Sequence, residues 1–348
     1  MPRPLVLAAS LLLAAVPLRG QATKSYVLAG DRVEIYNLAG EITMQGGVGN
    51  AVTIEVTTVG SDAGRLGVES GEIRGVGTLR VTYPADRIVY PKLGQRSSTT
   101  LYVRDDGTWG DDSDRRHAGR KITIRGDGAG LEAAANLRIA IPPGRKVSVY
   151  LGVGRLDAAD VDGQLVINAI SADVSARRTR GALDIDTGAG NVRVETVGGR
   201  VSLDTGSGDV AISGLQNGSL EVETGSGSVS GSKLQAQDLQ IDTGSGDIHL
   251  EDTSAPRLDL ESGSGSIRAE LTSGFERLSV ETASGDVTVR LPDGTGAELD
   301  LDTGSGDFTI DVPVTLLKRS ESSLRGRIGD GNARIHIETG SGDIALLR

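Results

Sequence analysis

Short alternations of apolar and polar residues recur through the last 200 or so residues of the chain, always around the same small-residue corner. The clearest copies are Asp204-Thr-Gly-Ser-Gly-Asp209, Asp242-Thr-Gly-Ser-Gly-Asp247 and Asp302-Thr-Gly-Ser-Gly-Asp307. Indexed by its Thr or equivalent, the series is Thr187, Thr205, Thr224, Thr243, Ser262, Thr282, Thr303 and Thr339, with intervals of 18, 19, 19, 19, 20, 21 and 36 residues. Weaker copies precede it at Ala169 and Leu151. Apolar residues stand four and two positions before each index, as Leu239 and Ile241 do before Thr243, and five after it, as Ile248 does. Period two predicts strands with one face inward. Between two such strands, glycines permit the positive φ of a sharp corner.

A fixed period near 20 residues is the mark of a solenoid. One coil of short strands cannot pair with itself, so coil must stack on coil in parallel, about 4.8 Å apart. The pattern therefore predicts an all-β parallel β-helix or β-solenoid with coils of 18–21 residues. A right-handed winding is preferred. A left-handed one would carry a six-residue subrepeat, and a calcium β-roll a nine-residue G-G-x-G-x-D period, and neither is present. No apolar i, i+3, i+4 run exceeds one turn, so no helix is predicted. Pro256, Pro292 and Pro313 avoid the corner and its flanking strand positions, as a paired ladder requires. Residues 147–348 read as regular solenoid, with the 36-residue interval predicting an excursion near 314–332.

Residues 23–146 are irregular and read as a β-rich, cap-like N-terminal part, which an open solenoid end needs. Val33 to Ile42 looks like one coil with a poorer corner and is a candidate first rung. Residues 84–121 read as a polar surface loop, with Asp105, Asp106, Asp111, Asp112 and Asp114 at its heart. Residues 1–22 have the layout of a secretory signal peptide: Arg3, an apolar stretch from Leu5 to Leu18, and small residues ending at Ala22. That predicts an exported protein, periplasmic, in the cell envelope or extracellular. No later apolar run approaches membrane length, so no transmembrane segment is expected.

Composition narrows the chemistry. The chain has 348 residues, of which 50 are Gly, and it holds no Cys. Disulfides, thiol nucleophiles and thiolate metal sites are excluded. Its three histidines, His117, His249 and His336, lie far apart in sequence. No nucleophile elbow, H-E-x-x-H motif or P-loop is present. The net charge of −11 becomes −13 if residues 1–22 are removed, because Arg3 and Arg19 leave with no acid. Such a charge argues against nucleic-acid partners and for cationic ones.

Two outward columns follow from the period. In seven successive coils the residue before the index is Asp186, Asp204, Glu223, Asp242, Glu261, Glu281 and Asp302. In stacked coils these make an acidic stripe, a candidate for cations such as calcium and equally a solvated face that keeps the rod soluble. Four positions after the index stand Asp173, Asn191, Asp209, Ser228, Asp247, Ser266, Asp286 and Asp307. These residue types bond corner N–H groups. Tyr90, Tyr102 and Trp109 are weak candidates for sugar stacking, with packing as the plainer role. Lys318, Arg319, Arg325 and Arg327 form a basic cluster that fits an anion or the acidic stripe of a neighbour. No catalytic residue and no cofactor is predicted.

Asp31 to Ile42, the Ile141-Pro-Pro-Gly144 entry, the repeated Thr-Gly-Ser-Gly-Asp, and the ending from Arg327-Ile-Gly-Asp-Gly331 to Ile344 resemble a bacterial β-strand-repeat family of candidate adhesins, a domain of unknown function associated with the envelope. The resemblance takes in essentially the whole chain after residue 22. It implies the repeat architecture and a non-enzymatic adhesin-like binding or structural surface, and it supplies no catalytic residues. Extended glycans, envelope components or peptides are the partners expected. Two other readings stay open. One is a lyase or glycosidase on a β-helix, which needs converging carboxylates in a groove. The other is an acidic ladder that binds cations or cationic peptides.

Overall fold

The structure, a computed structural model, describes residues 23–110 and 119–348. The expected signal peptide at 1–22, and Asp111, Asp112, Asp114 and His117 of the polar stretch, lie outside the described residues.

The chain is wound into one continuous 22-stranded sheet of mostly parallel pairs, with a separate three-stranded sheet beside its N-terminal part. Coils stack in the register the period predicts. Leu220, Leu239, Leu258 and Leu278 are successive partners, as are Val222, Ile241, Leu260 and Val280. All eight are buried, and so are Val229, Ile248, Ile267 and Val287 beyond the corner. Each coil thus turns a few aliphatic side chains into a narrow interior, which explains how so aromatic-poor a chain still builds a continuous core.

A second corner escaped the sequence pattern. Nine residues after the index the backbone enters the left-handed region at Asp160, Arg178, Thr196, Lys233 and Asp252, with φ between 50° and 57°. Because Asp, Arg, Thr and Lys all occur at this position, no motif announces the turn. The next residue points inward again, as Val161, Thr179, Val197, Leu234 and Thr253 do.

The Thr-Gly-Ser-Gly corner owes its glycines to crowding more than to dihedral freedom. The second glycine has a left-handed φ in some coils, as at Gly208, but not at Gly246. In both, a Cβ would collide with the carbonyl oxygen of the equivalent glycine one coil earlier, Gly190 and Gly227 respectively. The index threonine points inward and is buried in every copy. In the later coils its hydroxyl donates to that same carbonyl, from Thr243 to Gly227 at 3.0 Å and from Thr282 to Gly265 at 2.9 Å, whereas the Thr205 and Thr224 hydroxyls have no partner among the described residues.

At the N-terminal end, Arg32–Gly46 is the first rung, in parallel register with Arg145–Ala159. Val76–Thr82 covers half of its free edge and Ala134–Ile141 the other half. Antiparallel strands then close the end: Gly67–Ile73, Val52–Val59 and Thr23–Leu28. Asn37 takes the index position of this rung. Fully buried, it donates to the Ala135 carbonyl at 2.8 Å and accepts the Tyr83 hydroxyl at 2.8 Å. Within 84–121, which reads as a loop in sequence, Arg87–Val89 and Ser98–Val103 pair with Arg120–Arg125 in the small sheet. Their alternation is short and interrupted by polar residues, which hides it.

The C-terminal end departs from chain order. Arg277–Thr282 pairs with Ala333–Thr339, which pairs in turn with Ala297–Thr303. The last coil is therefore inserted between two coils that precede it in sequence, and its second strand Ile344–Leu347 lies likewise between Val287–Arg290 and Phe308–Ile310. The 36-residue interval is explained by the strands Val314–Arg319 and Ser323–Ile328, an antiparallel hairpin laid on the outer edge of Ala297–Thr303.

If carbonyl crowding governs the corner, Gly246→Ala destabilises residues 23–348 by roughly 1–3 kcal/mol, the usual range for overpacking. The exposed neighbour Ser245 tolerates Ser245→Ala within about 0.5 kcal/mol. Urea denaturation of both variants checks this, and equal losses contradict it.

Candidate functional site

Each outward column of the sheet is built by residues that share one position in successive coils. The acidic column forms as the period predicts. Asp186, Asp204, Glu223, Asp242, Glu261 and Glu281 are direct partners in turn. One member was missed. Glu338, from the inserted coil, stands between Glu281 and Asp302, so the acids continue through eight coils without a gap. All are exposed except Asp302, which is half-buried.

The column two positions earlier is arranged differently. It runs Asp184, Ser202, Glu221, Gln240, Asp259, Ser279, His336 and Asp300, so no two acids adjoin. Repulsion avoided there is kept next door. Burial and the flanking Asp242 and Glu281, with Asp259 behind them, push the Glu261 carboxyl above its usual range. Asp184 is also raised, chiefly by burial. Among the described residues no group of three or more His, Asp or Glu converges to hold a metal ion. The stripe supplies one carboxylate per coil along a line.

The corner column forms a ladder of its own. The Asp173 carboxylate accepts the N–H of Asn191 at 2.9 Å, Asn191 that of Asp209 at 3.0 Å, and Asp209 that of Ser228 at 3.0 Å. The N–H comes from the next coil, so these side chains tie coil to coil. Asp286 and Asp307, neighbours by chain order, are separated in space by Asp343, which donates to Asp286 at 2.9 Å and accepts from Asp307 at 2.8 Å.

The aromatic candidates sit in packing positions. Trp109 is buried, edge-on to Tyr36 and Tyr150, whose rings stack with centroids 4.4 Å apart. Tyr90 is buried, which raises its phenol, and Tyr102 is half-buried. Tyr36 and Tyr150 went unnoticed in sequence because 114 residues separate them; the register of the first two rungs brings them together. Two members of the basic cluster are engaged within the chain: Arg325 with Asp300 at 2.8 Å and Arg327 with Glu298 at 3.0 Å. They bind the hairpin to the last acids it covers. Lys318 and Arg319 are exposed.

The family described as Toastrack DUF4097 matches residues 95–347, leaving the first rung outside the matched span. The sequence resemblance had taken in the whole chain after residue 22. A crystal structure of a candidate cell adhesion protein from Clostridium sporogenes ATCC 15579 aligns over 93% of this chain and 99% of its own, at 10% identity and a TM-score of 0.19. No curated protein matches the chain.

The raised Glu261 carboxyl sets a pH signature. In the fold its charged form is disfavoured, so the penalty is complete above its folded pKa and vanishes below the unfolded value, about 4.3. Glu261→Gln therefore melts higher than the parent at pH 7, and the two converge as the pH falls below about 4. Thermal melts at both pH values check the crossover; a variant that melts lower at pH 7 contradicts it.

Proposed function

Because the chain belongs to the Toastrack family, a domain family of unknown function, its role has to come from its own surface, and we propose that it is a non-enzymatic, exported β-solenoid acting as an adhesin-like binding surface. The acidic sheet side is its binding face, and the partner is an extended polycation such as a cationic peptide segment. The observation that carries this is the continuity of the acidic column. Glu338 arrives out of chain order, from the inserted coil, and still falls into line between Glu281 and Asp302. A flat row of like charges, one per coil, suits a partner lying along the rod and attracts it electrostatically. Export is supported by the layout of residues 1–22. The absence of an enzymatic role is supported by the evenness of the acids: glycosidic chemistry needs unlike carboxylates converging on one bond, which breaks a repeat.

The test uses residues 23–348 and decalysine. Binding is expected at low ionic strength and fades as salt screens it. The triple variant Glu223→Gln, Asp242→Asn, Glu261→Gln weakens it by about tenfold, roughly 1.4 kcal/mol. A control of equal charge, Glu55→Gln, Glu72→Gln, Glu270→Gln, removes exposed acids from other places and weakens it far less. No binding, or equal weakening in the two triple variants, overturns the reading.

A further inference from the structure

The sheet side that carries the acidic column also carries arginines at its other border. Five residues before the index, Arg257, Arg277 and Arg334 are successive register partners, with Glu298 next. Near this end a groove of about 500 Å³ opens between these strands and the hairpin. Arg277, Arg334, Arg325, Glu298 and Asp300 supply its charges, and Leu317 of the hairpin stands at its edge, 72% exposed.

The groove's two acids are already matched, Asp300 by Arg325 and Glu298 by Arg327. Nearby arginines are matched as well: Arg257 by Asp238 at 3.1 Å and Arg348 by Asp293 at 2.6 Å. Arg277 and Arg334 have no ion pair or side-chain hydrogen bond among the described residues, although they are direct partners on adjacent strands and both exposed. Two guanidinium stems about 4.8 Å apart repel each other. His336, two residues from Arg334 on the same outward face, adds a further nitrogen to the groove. In a chain of net charge −11 this is a concave site lined by two unmatched cations.

We propose that this groove binds an oxyanion group — carboxylate, sulfate or phosphate — clamped between Arg277 and Arg334, with the body of a small ligand resting on Leu317. Guanidinium forks match the paired oxygens of such groups. A cavity of this size takes a ligand of one or two sugar rings. The site is separate from the acidic column, and it differs from the sequence-stretch of basic residues in the hairpin, whose Arg325 and Arg327 are occupied.

Calorimetry on residues 23–348 at constant low ionic strength, balanced with chloride, tests it with sulfate, inorganic phosphate, galacturonate and, as the uncharged control, galactose. At least one anion binds with one-to-one stoichiometry and galactose does not. Galacturonate binding more tightly than the inorganic ions assigns a sugar acid; the reverse assigns a free anion. Arg277→Gln and Arg334→Gln each weaken binding at least about tenfold, whereas Arg257→Gln changes it less than about twofold. Neither groove variant lowers the melting temperature, since each removes a repulsion. No anion binding, or binding unchanged in Arg277→Gln and Arg334→Gln, overturns the proposal. So does a loss of binding that accompanies a lowered melting temperature in both.

Discussion

Every coil depends on its neighbours for its hydrogen bonds, and this one requirement fixes most of the chain. A solenoid strand has no partner within its own coil, so the backbone must return to the same place about 4.8 Å further on. At that distance the corner carbonyl of one coil occupies the space of a Cβ on the next, and glycine follows. From Thr243 onward the same carbonyl gains a donor from the inward hydroxyl, as at Thr243 and Thr282. The Asp or Asn after the corner takes up an N–H of the adjacent coil. The motif Thr-Gly-Ser-Gly-Asp thus states a translation in space, its exposed serine alone answering to no coil but its own.

Sequence made the repeating part legible for that reason. Period two gave the inward faces, and the recurrence of the corner gave the register that places Asp204 beside Glu223 and Asp242. What stayed hidden had no recurring chemistry. The left-handed turn at Asp160, Arg178, Thr196 and Lys233 uses whatever residue is there. The strands at Arg87–Val89 and Ser98–Val103 are short and polar. The pairing of Tyr36 with Tyr150 depends on which strands become neighbours at the first rung, and the place of Glu338 on an order of stacking that no local pattern encodes. The Arg277–Arg334 pair is invisible on the same account: 57 residues separate them in sequence, and their lack of counter-ions among the described residues is a property of space.

Charge along the rod is sorted by column. One column alternates acids with neutral residues and another accumulates acids, so the accumulation is a choice the same sheet shows how to avoid. Where acids end at the covered edge, Asp300 and Glu298 are neutralised by the hairpin's arginines. That hairpin covers the edge of Ala297–Thr303 and leaves Val314–Arg319 as the outermost strand.

Solenoids commonly come apart from their ends, because a terminal coil is paired on one side only. Here the final segment, Ala333–Thr339 with Ile344–Leu347, works as a keystone: it is gripped on both flanks, and the coil outside it is tethered to the chain at both of its own ends. Peeling this segment away must break pairing on both sides at once. The keystone also reverses the order of completion. Val287–Arg290 and Phe308–Ile310 are synthesised before Ile344–Leu347 and must wait, apart or provisionally paired with each other, until that strand is slotted between them.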